Sequence, residues 1–258
     1  MLVYRLCLKQ FPIDSEWKSL HFCCFWMSFD KFDISRHDRS MKNWVFDLDG
    51  TLVDTLDQYS EKLKRVFAYF EIPVTDEVLA RARNAFDARK FFSYYLDAAD
   101  IDRAYQLLQK FSLELAPKAK LFEGVWDLLN FLQSQNVQLS LWTGRDETST
   151  RRILQNCGLD PFFNTCVTGT CVDKKKPDPE GLQKVLELTH AHHADTIMVG
   201  DHLFDIQGAK ALGIKALSVS WREELTADSN HPLVGLSDGH FYNTSELITW
   251  ARTKLTEQ

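Results

Sequence analysis

The sequence predicts an α/β protein: a doubly wound, Rossmann-like parallel sheet with an all-helical stretch inserted early in the chain. Three observations carry this reading. An apolar run at Trp44–Phe46 ends in clustered aspartates, an unbroken helical period follows it, and beyond Pro117 strands alternate with helices.

In WVFDLDGTLVDT, Trp44 to Thr55, the apolar start reads as a buried strand, and Asp47 and Asp49 follow it two apart. Side chains two apart on a strand share a face, so both carboxylates converge. Two unit charges about 4 Å apart repel by roughly 4 kcal/mol at an effective dielectric near ~20. The pair therefore calls for protonation or a cation. Asp-Gly after apolar residues is also a hairpin signal, which predicts a second strand directly after the turn. Leu56, Tyr59, Leu63, Val66, Phe67 and Phe70 instead recur at the spacing of an amphipathic helix, and the hairpin is rejected.

The helical period continues from Leu56 to about Leu115 through SEKLKRVFAYF, TDEVLARARNAF, ARKFFSYYLDAA and DRAYQLLQKFSLEL, with Thr75 as an N-cap. After Pro117, GVWDLLNFLQSQ reads as a helix, VQLSLWT as a strand, ETSTRRILQNC as a helix ended by Gly158, and FNTCVT as a short strand. PEGLQKVLELTHAHH follows as a helix, TIMVG as a strand, DIQGAKAL as a helix ended by Gly213, IKALSVS as a strand, and TSELITWARTKL as a closing helix. Such alternation implies a parallel sheet, whose ligands bind beyond the carboxyl ends of its strands.

Composition narrows the partners. The chain has 258 residues, 45% of them hydrophobic, with 30 basic against 36 acidic residues and a net charge of -6. Lys174–Lys176 is its one dense basic run, so a nucleic-acid surface is not expected and a small molecule is. The longest uncharged apolar stretch, Ser19 to Phe29, falls short of the roughly 18 residues of a membrane span. Charges within MLVYRLCLKQ argue against a signal peptide. Cys7, Cys23, Cys24, Cys157, Cys166 and Cys171 form no C-x-x-C pair and are read as free thiols of a cytoplasmic protein. Residues 1–40 lack any clean period; they are expected to be a weakly ordered extension or an upstream mis-start, with Met41 as the natural start.

Three further strand ends complete a constellation. Thr143-Gly144-Arg145 supplies a hydroxyl, a glycine that admits backbone approach, and a guanidinium suited to oxyanions. In VDKKKPDPEG, Asp178 can cap a helix with Pro179 at its first position, which sets Lys176 at the helix entrance, where it can hold phosphate. TIMVGDHLFD puts Asp201 at a strand end and Asp205 four residues on. Standing alone, each is an ordinary turn. Together, Asp47, Asp49, Asp201 and Asp205 are read as ligands of a hard, oxygen-ligated cation, with magnesium (Mg2+) the expected ion.

DLDGT, then TG, K-P-x-P and GDxxxD, in that order, resemble the haloacid dehalogenase-like hydrolases over nearly all of Met41 to Gln258. Within that family the helical insert is similar to the cap of the phosphoglycolate phosphatase type. The resemblance implies a core of 41–58 and 119–258 and a cap of 59–118. It implies a magnesium-dependent phosphatase acting on a small phosphorylated metabolite through an aspartyl-phosphate. Asp47 matches the nucleophile and Asp49 the acid/base. Thr143 and Gly144 match the phosphate-binding turn, Lys176 the third-motif lysine, Asp201 a metal ligand, and Asp205 its support. Arg145 departs from many relatives and is expected to read an extra anion on the substrate. A phosphomutase similar to the beta-phosphoglucomutases, and a non-catalytic binding protein on the same scaffold, are the alternatives.

His190, His192 and His193 sit where a helix should end and are read as dipole partners rather than a metal cluster. Arg81, Arg83, Arg89 and Lys90 are read as solvent-facing.

Overall fold

Strand β1 (Asn43–Phe46) is buried along its whole length, as a run of Trp, Val and Phe between two neighbours must be. The computed structural model describes residues 42–85, 87–222 and 232–256. The expected extension of residues 1–40, the start at Met41, and Cys7, Cys23 and Cys24 lie outside them.

After β1 come β2 (Val53–Asp54) and the helices α1 (Leu56–Tyr69), α2 (Asp76–Arg83), α3 (Ala88–Phe92) and α4 (Ile101–Leu115). Then β3 (Lys120–Leu121), α5 (Val125–Ser134), β4 (Gln138–Trp142), α6 (Glu147–Cys157), β5 (Thr165–Val167) and α7 (Glu180–Thr189) follow. The chain continues through β6 (Thr196–Gly200), α8 (Leu203–Ala211), β7 (Lys215–Val219), β8 (Gly239–Phe241) and α9 (Thr244–Thr256). Six strands form one sheet in the order β5-β4-β1-β6-β7-β8, every pair parallel.

Period-two alternation along β1 builds a core on each side of this sheet. Trp44 and Phe46 pack with Leu128, Leu132, Ile153 and Leu247 on the α5, α6 and α9 side. Val45 faces the other way, with Leu182, Val185, Ile206 and Ala209 of α7 and α8. Phe46 pairs with Leu141 on one flank and Val199 on the other. The residues that follow these ends therefore emerge together at one edge of the sheet.

A separate apolar cluster, including Leu63, Phe67, Val78, Phe92, Ala104 and Leu107, holds the four helices of the insert to one another. Helix α1 runs through the expected boundary at Tyr59 without a break. Thr75 caps α2 as expected, its hydroxyl accepting from Val78 N at 3.3 Å.

Local expectations are corrected at five points. The third helix of the insert stops at Phe92 rather than running to Ala99. Its next amides, Tyr94 N and Tyr95 N, donate three residues back, to Phe91 O and Phe92 O, and the turn lays Tyr95 edge-on against Phe67 at 5.3 Å. The Asp-Gly turn does lead into a strand, β2, but its partner is the distant β3, so the two crossings between core and insert are tied together. Helix α7 begins at Glu180, one residue later than expected, with Asp178 accepting from Glu180 N at 3.1 Å. Strand β8 was not foreseen. Cys157 and Cys166 are free thiols, whereas Cys171 is disulfide-bonded, against the expectation. Among the described residues no helix is long and apolar enough to cross a membrane.

Candidate active site

Asp47 leaves the end of β1 with its amide donating to Val199 O at 2.9 Å, which fixes its backbone to the neighbouring strand. Its side chain is 9% exposed. Into this dry site Lys176 inserts its ammonium, donating to Asp47 Oδ1 at 2.6 Å, Asp205 Oδ1 at 2.6 Å and Trp142 O at 2.7 Å. All three of its protons are thereby used. The same nitrogen lies 4.5 Å from the centre of the Trp142 ring, so the aromatic wall replaces some of the hydration it has lost. Lys174 and Lys175, the other members of the basic run, turn away to Asp178 and to the carbonyls of Gly169 and Val172.

Asp205 is placed by the entrance of α8. Its Oδ2 accepts from His202 N at 3.1 Å while the His202 ring accepts from Phe204 N, a reciprocal cap that fixes the carboxylate and leaves Oδ1 to Lys176. Asp201 closes the group, held by the Thr51 hydroxyl donating to its Oδ1 at 3.1 Å. Gly50, at φ +84°, lets the β1 turn pass directly over that carboxylate; a Cβ at this position would collide with it.

Asp47, Asp201 and Asp205 each offer an oxygen within 4.8 Å of the others. Burial lifts the Asp47 carboxyl from 3.8 to about 7; Lys176 opposes the rise, while Asp205 and Asp49 add to it. Asp201 is raised well above the ordinary range by burial and by the charges of Asp47 and Asp205. Three carboxylates against a single ammonium leave negative charge that the fold does not compensate, and all donors are hard oxygens. The residues present fit a hard metal cation.

Asp49 stands apart from this group. Of the four carboxylates expected to ligate metal, it is the one the structure turns elsewhere. Its Oδ1 accepts from Thr55 Oγ1 at 2.5 Å and from Arg145 Nη2 at 2.5 Å, and its Oδ2 from Arg145 Nε at 2.9 Å. Burial by itself would raise this carboxyl, but the bidentate guanidinium, with Lys62 and Thr55 adding, holds it well below the usual carboxylate range. Arg145, expected to read an anion on the substrate, is thus already engaged. The turn that places it is made by the Thr143 hydroxyl, which accepts from Arg145 N at 3.2 Å and directs the side chain back across β1.

Thr143 itself is buried at the end of β4, its amide donating to Val167 O at 3.0 Å. Beside it, a Cβ on Gly144 would meet nothing within 4 Å, so there is open space over this turn. The sheet edge therefore gathers Asp47, Asp201, Asp205 and Lys176 in one group, and Asp49 with Arg145 in a second beside it.

Thr51, Thr55 and Lys62 were not singled out from the sequence. The threonines follow the aspartate cluster at two-residue spacing from Asp49 and Val53, where their hydroxyls read as turn residues. Lys62 falls four residues after Gln58 on α1, off the apolar stripe that its neighbours define, and that polar pair was the available signal. His190 caps the end of α7 with φ +54°, and His192 stacks on His193 at 4.7 Å, at the opposite end of that helix from Lys176.

The family model for haloacid dehalogenase-like hydrolases matches residues 44–219. Phosphoglycolate phosphatase of Pseudomonas syringae pv. syringae is 31% identical over 186 residues, spanning 69% of this chain and 68% of that protein. Pyrophosphatase PpaX of Oceanobacillus iheyensis is 26% identical over 183 residues, spanning 70% of this chain and 85% of that protein. Among solved structures, CbbY from Rhodobacter sphaeroides in complex with phosphate has a TM-score of 0.70 at 17% identity, over 80% of this chain and 96% of that one, a likeness of fold.

Proposed function

We propose, from the premise that the chain belongs to the haloacid dehalogenase-like hydrolases and is a phosphoric monoester hydrolase, that it dephosphorylates a small cytoplasmic metabolite through an aspartyl-phosphate on Asp47 with magnesium as its cation. Lys176, bridging Asp47 and Asp205 beside Asp201 at the end of β1, is the observation that carries this reading. The relatives' names, phosphoglycolate phosphatase and pyrophosphatase, support a small phosphorylated substrate.

Lys176 grips Asp47 Oδ1, which leaves Oδ2 free to attack phosphorus. The Oδ2–P bond forms as the P–O bond to the leaving alcohol breaks, and the alcohol oxygen takes a proton. Thr143 and the backbone around Gly144 would receive the phosphoryl oxygens. In the second displacement water attacks the acyl phosphate, Asp49 takes its proton, and Asp47 is restored with release of phosphate. Ionised by Arg145 and Thr55, Asp49 is ready for this second step; to donate a proton in the first, it must part from Arg145. Magnesium held by Asp47, Asp201 and Asp205 would neutralise the carboxylates and the charge on the phosphoryl group.

Phosphate release from a panel of phosphorylated metabolites, with magnesium and with EDTA, tests the proposal alongside Asp47→Asn. Turnover that needs magnesium and vanishes in the variant is expected. Full activity in Asp47→Asn would overturn the mechanism.

A further inference from the structure

Helix α1 brings one cation to the site that neither motif nor metal accounts for. Lys62 Nζ reaches the Ser112 hydroxyl of α4 at 3.3 Å and lies 4.9 Å from the centre of the Tyr59 ring. That ring is itself fixed, its hydroxyl donating to Ala82 O at 2.7 Å. Among the described residues Lys62 forms no ion pair. The charged groups that face it are Arg145 and Asp146 of the β4–α6 turn and Asp49 beyond β1. Both of those carboxylates are committed: Asp49 is gripped by Arg145, and Asp146 caps α6 by accepting from Ser149 N at 2.9 Å and Ser149 Oγ at 2.5 Å.

One turn earlier on the same helix, Gln58 presents a buried Oε1 with no hydrogen-bond partner. Residues four apart share a helix face, so Gln58 and Lys62 look out from α1 together. Lys62 faces Arg145 and Asp146 of the β4–α6 turn, where a Cβ on Gly144 would meet nothing within 4 Å. A buried acceptor without a donor and a lysine without a counter-ion are each costly in isolation. A ligand that supplies both a negative charge and a hydrogen-bond donor would relieve both.

We infer that Lys62 and Gln58 read the leaving group of the substrate, Lys62 pairing with a second anionic group on the alcohol and Gln58 accepting a hydrogen bond from a donor elsewhere on that leaving group. The enzyme is thereby selective for phosphoesters whose alcohol itself carries a carboxylate or a second phosphate. This rests on the phosphatase reading above. Burial, with Arg145 adding, brings the Lys62 ammonium down to about 8, against the pull of Asp49 and Asp146, so it remains charged near neutrality and lacks only the anion.

The test compares kcat/KM on three probes: 2-phosphoglycolate, propane-1,3-diol bisphosphate and the neutral-alcohol ester ethyl phosphate. The wild type should prefer at least one anionic probe over ethyl phosphate, and Lys62→Met should lower that preference by roughly tenfold to a hundredfold. Lys62→Arg should retain most of it. Which anionic probe loses more in Lys62→Met tells carboxylate from phosphate recognition. The preference is a ratio within one sample, so it does not depend on how much of a variant folds. An unchanged ratio in Lys62→Met, or a wild type that turns over ethyl phosphate as well as both anionic probes, overturns the inference and leaves the phosphatase reading standing. A wild type that hydrolyses none of the probes or of the wider metabolite panel refutes the phosphatase reading and this inference with it.

Discussion

Replacing Asp47 by Asn should make the metal-free protein more stable, because the site holds more negative charge than Lys176 can balance. Folding moves the Asp47 carboxyl from 3.8 to about 7, burial being the larger cause. Between those values the folded state binds more protons than the unfolded chain, so stability falls as pH rises through that window and the full cost is present above it. At roughly 1.4 kcal/mol per decade of proton affinity, the cost at its ceiling is ~4 kcal/mol. Asparagine keeps the shape and removes the charge but forfeits the 2.6 Å ion pair with Lys176. A net gain of about 1–3 kcal/mol is therefore expected. Urea unfolding in EDTA near pH ~8 measures it. Near pH ~5, low in that window, the wild-type carboxyl is protonated when folded and only about 2 kcal/mol of the cost remains, so the difference should shrink markedly. Added magnesium should stabilise the wild type more than the variant. If Asp47→Asn is no more stable than wild type at the higher pH in EDTA, or if the difference is the same at both pH values, the account of uncompensated charge is wrong.

Lys176→Met leaves two buried carboxylates facing each other without their shared ammonium; kcat should fall by about 10²–10³, and a loss under fivefold in steady-state assays would contradict its role at Asp47. Arg145→Ala and Asp49→Asn should be strongly non-additive in denaturation. A fully buried pair costs roughly 3–5 kcal/mol to break, but the Asp49 side chain is 34% exposed, so a coupling of about 1–3 kcal/mol is expected in a double-mutant cycle. Gly50→Ala would push a methyl into the Asp201 carboxylate; calorimetric titration with magnesium should show affinity reduced by roughly tenfold to a hundredfold, and an unaltered affinity would separate Asp201 from the cation.

What was legible in the sequence follows the strength of local signals. Strand β1, α6 with its Gly158 stop, and the alternation beyond Pro117 were readable because periodicity and caps act within a few residues. Three-residue β8 offers no period to read; its place is set by pairing with β7, a contact distant in sequence. The end of α3 at Phe92 was hidden for a related reason: the helical spacing of apolar residues continues through Tyr95, and tertiary packing on Phe67 wins. At the site, Asp47, Thr143, Lys176 and Asp201 were marked as strand-end residues. Side-chain direction was not. Whether a carboxylate at a strand tip joins a cation site or an arginine depends on rotamers and neighbours, and so Asp49 and Arg145 were each assigned to the cation and the substrate rather than to each other.

That pairing organises the site into two electrostatic poles. On one side of Asp47, three carboxylates share one ammonium, so this half attracts a cation. On the other, Arg145 pairs with Asp49, Asp146 caps α6 through Ser149, and Lys62 from the insert is a cation without an ion-pair partner among the described residues, so this half can accept an anion. A phosphoester carrying a second negative group matches both poles, its phosphoryl group toward the cation and its alcohol toward α1. The two poles also sit on different parts of the chain: the sheet edge carries the first, and the second depends on α1 lying over the β4–α6 turn. Because the β2–β3 pair ties both crossings of the insert to the core, any movement of α1 must carry Lys62 and Gln58 together relative to Arg145. Binding of the substrate's second anion would then favour the arrangement in which α1 covers the phosphoryl group, which couples selection of the leaving group to exclusion of water at Asp47.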